Sequence, residues 1–124
     1  MAAFSLEQKI DDLLNDLEAK RIAISELGTP QLSELDVQGI LELGSQAVPY
    51  LIQLLESENP KKVACIVLAL SKTGNMEVKV HLQKLREKYR GRDHKTEWDY
   101  AVIGQCNLAL QAFDQANQKK RFER

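Results

Sequence analysis

The chain has 124 residues, with 17 Lys and Arg against 18 Asp and Glu and a net charge of −1, a length that suits one domain and leaves no room for a second independent core. Hydrophobic residues make up 44% and charged residues 28%, and no apolar run approaches the ~20 residues a membrane span needs. This composition reads as a soluble globular protein that folds without disulfides or metals. The start, Met-Ala-Ala-Phe-Ser-Leu-Glu, lacks a basic segment followed by an apolar stretch, and Cys65 and Cys106 sit inside helical patterns. The expected setting is the cytoplasm, with both thiols reduced and no membrane contact.

In chain order, the first predicted element is a long helix over residues 6–27. It opens at Ser5, with Gln8 in capping-box position, and ends at Gly28. Its apolar positions Leu6, Ile10, Leu13, Leu17 and Ile24 form a seam that could pair with a partner helix. The simpler role is to cap the open end of a helical stack. Thr29-Pro30 is expected to open a second helix ending at Leu43-Gly44. Ser45 then caps a helix carrying Val48, Ile52 and Leu55 at helical spacing. After a break at Ser57–Asn59, Asn59 caps the next helix, with Pro60 at its first position, where the missing N–H is harmless.

That helix reads Val63, Ala64, Cys65, Ile66, Val67, Leu68, Ala69 and Leu70 in succession and is expected to stop near Gly74. An unbroken apolar run has no polar face, so this helix should be buried nearly all round. A helix over residues 76–89 keeps Val78, Leu82, Leu85 and Tyr89 on one side. A loop at residues 90–96 follows. The last helix, residues 97–118, starts at Thr96 with Asp99 in a capping-box-like arrangement. The basic end, residues 119–124, should fray.

Sliding the sequence by 30 residues aligns Pro30 with Pro60, Gly39 with Ala69, Ile40 with Leu70 and Gly44 with Gly74. The same shift places Val48 on Val78, Ile52 on Leu82, Gln53 on Gln83 and Leu55 on Leu85. After residue 90 the register jumps by ten, so that Val63 matches Ile103 and Ala69 matches Ala109. Repeats of this size, each two helices long, mark a stack of helix pairs. The stretch Leu43-Gly44-Ser45-Gln46-Ala47-Val48-Pro49-Tyr50-Leu51-Ile52-Gln53-Leu54-Leu55 resembles the first helix of HEAT-like repeats of the phycobilisome-lyase type. Asn59-Pro60 followed by Ala69-Leu70 and Gly74 is similar to the second helix. Lys62 and Val63 stand where that family usually has Val and then Arg.

The resemblance implies an all-α fold, a short right-handed α-solenoid of about three HEAT-like helix pairs. Residues 1–28 would be the capping helix and residues 29–118 the repeats, in a single domain over residues 1–124. The family includes chromophore-lyase subunits as well as interaction proteins, so a subunit related to bilin-lyase enzymes is one function the resemblance admits.

The residues themselves offer no catalytic constellation. The six glycines are dispersed, and no His-Glu-x-x-His or Cys-x-x-Cys spacing occurs. Cys65, Cys106, His81 and His94 are too scattered for a zinc site. No cofactor or metal is expected. Charge is more informative: residues 1–60 carry −8 and residues 61–124 carry +7. Between Lys79 and Lys95 lie seven Lys and Arg against Glu87 and Asp93. Lys79, Lys84, Arg86, Lys88, Arg90 and Arg92 are the candidate binding cations, with Trp98 and Tyr100 just beyond. Tyr50 and Val80, at equivalent repeat positions, both point off the core row and are candidates for a partner-binding strip. The expected function is a non-enzymatic interaction module or adaptor that presents a rigid helical surface to another protein. Anion or nucleic-acid binding through residues 79–95 is the alternative, and unlike charges at the two ends admit head-to-tail self-association.

Overall fold

Short polar side chains open the longer capped helices of this chain, at Ser5, Asn59 and Thr96, and the computed structural model, which describes residues 5–73 and 76–122 with side chains through residue 115, shows them at work. Ser5 accepts a hydrogen bond from the Gln8 N–H (3.1 Å) and opens α1, Leu6–Ala19. The Gln8 side chain donates to Asp12 instead of reaching back to Ser5, so only half the expected box forms. A 3-10 turn at Glu34–Val37 leads into α2, Gln38–Leu41, and a second at Gly44–Ala47 leads into α3, Val48–Leu54. Asn59 caps α4, Pro60–Thr73, by accepting from the N–H groups of Lys61 (3.0 Å) and Lys62 (3.3 Å). Then come α5, Met76–Arg90, and α6, Glu97–Phe122. Gly74, expected to end a helix, lies outside the described residues, as do the side chains of residues 116–124, which include the basic end expected to fray. The backbone of α6 runs past the expected end at residue 118.

The protein is all-helical, its helices packed on one another, and no strand occurs among the described residues. Its centre is α4. All eight residues from Val63 to Leu70 are buried, as an unbroken apolar run requires. The helix packs most extensively against α6 and also meets α1, α2 and α3. The α5 helix lies on α6 and turns Val78, Leu82, Leu85 and Tyr89 inward, so it reaches the core from the α6 side.

The N-terminal third departs from the sequence expectation. Its first helix stops at Ala19, not at residue 27, and Lys20 is already extended. Residues 23–31 instead fold back on themselves. Ser25 N–H donates to the Thr29 carbonyl (2.8 Å), Gln31 N–H donates to the Ala23 carbonyl (2.8 Å), and Ile24 bridges to Pro30. Gly28 sits at φ +81°, the left-handed conformation such a reversal needs. Pro30 therefore lies in an extended segment and opens no helix. The start of the next helical stretch is Ser33, whose N–H and hydroxyl both meet Asp36 (2.8 and 3.2 Å). Pro30 and Pro60, aligned by the 30-residue shift, thus occupy different local structures.

Two tertiary contacts explain the early stop. The Lys61 ammonium, from α4, donates to the carbonyls of Glu18 (3.0 Å) and Lys20 (2.5 Å), satisfying groups that a helix end leaves unpaired. Lys20 itself pairs with Asp36. The inward residues of α1 are Ile10, Leu14 and Leu17, while Leu13 packs where Gly39 leaves space: a Cβ at Gly39 would lie 2.9 Å from the Leu13 Cδ2. The expected apolar seam is thus turned onto the core and is not offered to a partner, and Ile24 is not part of it.

If Lys61 anchors α1, Lys61→Met should lower stability by about 1–2 kcal/mol, the worth of a charged donor on paired carbonyls. Amide exchange should quicken in α1 while the amides of α4 keep their protection. Uniform loss across all helices would show that Lys61 acts on the whole core instead.

Candidate functional site

Of the six candidate cations, four are committed to neighbours. The Lys79 ammonium meets Asp114 of α6 at 2.5 Å, and Arg90 meets Glu87 at 3.1 Å. Arg86 reaches across to α6 and donates to the Asn107 side-chain oxygen (3.1 Å). Arg92 is held most firmly, donating to Asp99 at 2.8 Å, lying 3.8 Å from Glu58, and stacking over the Tyr89 ring at 4.0 Å. Exposed pairs such as Lys79–Asp114 contribute little, typically under about 1 kcal/mol. Arg92 differs because its partner, Asp99, is buried.

Asp99 pins the loop at residues 91–96 to the start of α6. It accepts from the Thr96 N–H (2.8 Å) and hydroxyl (3.0 Å) as well as from Arg92, and its own N–H donates back to the Thr96 hydroxyl (3.2 Å). Burial raises the Asp99 pKa, but the Thr96 hydrogen bonds and the Arg92 charge outweigh it and hold the carboxyl below its ordinary 3.8. Asp36 is lowered in the same way, burial opposed by Lys20 and Ser33.

Lys84 and Lys88 remain. Both are exposed, and neither makes an ion pair or hydrogen bond with a described residue. They stand at the rim of a pocket of about 140 Å³ between α3 and α5. Ile52, Leu55 and Leu85 supply its apolar lining, with His81 and Glu56 also at its walls. Sequence reasoning placed Ile52, Leu55 and Leu85 in the core and missed that their outer edges line an opening. The signal was available in the helical spacing of His81, Lys84 and Lys88 beside Leu85.

Tyr50 and Val80 are not brought together. The Tyr50 hydroxyl donates to Asp11 of α1 (2.8 Å), and its ring is partly buried under that helix. That hydrogen bond, then burial, pushes the phenol up to about 12. Val80 stays 52% exposed on α5, one turn before Lys84. A second pocket, about 250 Å³, lies between the 29–30 turn and α6, lined by Thr29, Pro30, Tyr100, Ala101, Gly104 and Leu108 among others. Tyr100 and Leu108 are both more than half exposed, and neither was singled out as an apolar surface by the sequence. Trp98 packs against the core with the Lys61 ammonium 5.6 Å above its ring.

Cys65 and Cys106 are buried and unpaired, and burial pushes both thiols up to about 12, the opposite of what a nucleophile or metal ligand needs. No cluster of three or more His, Cys, Asp or Glu suited to a metal ion occurs among the described residues. Nor is any helix among them long and apolar enough to cross a membrane. In comparisons with known proteins, no family model matches the chain, and no curated protein or solved structure is significantly similar to it.

Two outcomes follow from these contacts. Asp99 is charged in the folded state down to a lower pH than in the unfolded chain, so its contribution is present above pH 3.8 and is lost as pH falls through the lowered folded value. Asp99→Asn should be less stable than the parent at neutral pH, and urea titrations should show that gap closing below pH 3.8. A gap that stays constant would mean the charge contributes nothing. Tyr50→Ser should lower the melting temperature by several degrees and weaken exchange protection in α1, as loss of a packed ring and its hydrogen bond demands. An unchanged melting curve would return Tyr50 to the surface.

Proposed function

We propose that the chain is a non-enzymatic protein-interaction module, an adaptor or scaffold whose contact face is the α3–α5 groove. The observation that carries this reading is the sorting of cations there. Lys84 and Lys88 stand over an apolar floor with no ion partner among the described residues, while the remaining candidate cations serve internal contacts. A polar rim around an apolar centre is the pattern of protein interfaces. Both pockets fall below the roughly 300–1,000 Å³ usual for small-molecule sites, which favours a macromolecular partner.

The architecture belongs to this proposal as a short right-handed α-solenoid of HEAT-like helix pairs. It is supported by the Asn59-Pro60 start of α4 and by the stacking of α4, α5 and α6. The advantage of such a frame is rigid display, since a preformed surface loses little freedom on binding. A cytoplasmic setting fits the two unpaired thiols.

A second reading, nucleic-acid binding, is favoured by Lys95, whose ammonium lies 6.0 Å over the exposed Tyr100 ring, a cation beside a stacking surface. Among the described residues of the 79–95 segment few cations are left without an ion partner, which limits it: each phosphate neutralised adds about one unit of salt slope, and Lys84, Lys88 and Lys95, whose ammonium already donates to the Arg92 carbonyl (2.9 Å), supply a shallow one.

The test is affinity capture from lysate at moderate salt with the parent chain and with Lys84→Glu/Lys88→Glu, whose fold circular dichroism should find intact. A discrete protein partner should be retained by the parent and reduced about tenfold or more by the double variant, as truncating interface charges demands. Equal retention by both would move the interface off this groove. Recovery of nucleic acid alone would replace the adaptor with the second reading.

A further inference from the structure

The α3–α5 groove has a composition that specifies what could fill it. The edges of Ile52, Leu55 and Leu85 that meet solvent are better covered by an apolar group than by water, and the volume of about 140 Å³ suits a side chain better than a cofactor. Lys84 and Lys88 are four residues apart on one helical row, about 6 Å along the axis. Val80 extends that row by a further turn and is 52% exposed. The converse of such a surface is one large apolar residue flanked by carboxylates about 6 Å apart.

We infer that the groove receives an acidic amphipathic helix of a partner protein, an inference that rests on the interaction-module reading above. One large apolar side chain of that helix enters between Ile52, Leu55 and Leu85. Two carboxylates, one turn apart, meet Lys84 and Lys88. A helix matches both requirements because its own four-residue spacing repeats at the same 6 Å, and helix-in-groove contacts are read as anchors at this spacing. Glu56, on the α3 wall, sets the orientation: it repels acid on that side, so the partner turns its acidic row toward α5 and a neutral or basic row toward α3. The same carboxylate disfavours a nucleic-acid strand, which would also leave the apolar floor uncovered.

A displayed library of random peptides, about 16 residues long so that helices can form, tests the occupant directly. Selection is run on the full chain and on Lys84→Glu/Lys88→Glu, with a single-stranded oligonucleotide as competitor. The expected outcome is enrichment of sequences with paired Asp or Glu four apart beside a Leu, Ile or Phe. Their binding should fall about tenfold or more on the double variant and resist the oligonucleotide. Equal enrichment on both proteins, basic or acid-free winners, or no enrichment at all would overturn the inference. Displacement by the oligonucleotide would overturn it too, and in favour of a phosphate-binding surface. Any of these results beside a lysate partner whose capture still depends on Lys84 and Lys88 would remove this occupant and leave the interaction module standing.

Discussion

Everything in this fold answers to one constraint: the middle of α4 has no side that water can wet. Eight consecutive residues, Val63 to Leu70, are buried, and a helix with that sequence must be covered from every direction or aggregate. The α6 helix provides one cover, and α1, α2 and α3 provide the rest. The small residues within the run matter as much as the large ones. Ala64, Cys65 and Ala69 let neighbouring helices approach closely, while Ile66, Val67 and Leu70 fill the gaps between them, so both larger and smaller replacements would be felt.

A cover assembled from short, separate pieces needs orientation more than it needs extra burial. Polar contacts supply it. Lys61 reaches from α4 to the end of α1, Tyr50 ties α3 to Asp11, and Lys20 joins the same end of α1 to Asp36. On the other side Asp99, Arg92 and Thr96 fix how the chain leaves α5 and enters α6. Single contacts of this kind contribute about 1 kcal/mol each. Their larger effect is to exclude other arrangements of the same apolar surfaces, which burial alone would tolerate.

Where local chemistry and tertiary demand agree, the sequence is legible. The start of α4 at Asn59-Pro60, the start of α6 at Thr96 and the inward face of α5 all follow from capping residues and helical spacing. Residues 20–33 are not legible in that way. Their apolar positions fit a continuing helix, yet the Lys61 ammonium competes for the carbonyls that the next turn would use, and that lysine is 41 positions away from Lys20. Ser33 with Asp36 was the local signal for the next start, and it outweighs Pro30. The groove was half legible: Lys84 and Lys88 stood among the candidate cations, but only packing decides that Leu55 and Leu85 stay buried while their edges meet solvent between α3 and α5.

The count of cations in a sequence therefore overstates the charge a surface can offer. Between Lys79 and Lys95 the chain spends Lys79 and Arg86 on α6, Arg90 on its own helix and Arg92 on a buried carboxylate. What is left beside the groove is two lysines and an apolar floor. A polyanion gains from many evenly spaced charges and nothing from leucine edges. A protein helix gains from a few charges that fix register and from one buried side chain that supplies most of the energy. The internal pairing that stabilises this half of the molecule is thus what turns a basic segment into a surface with room for selectivity.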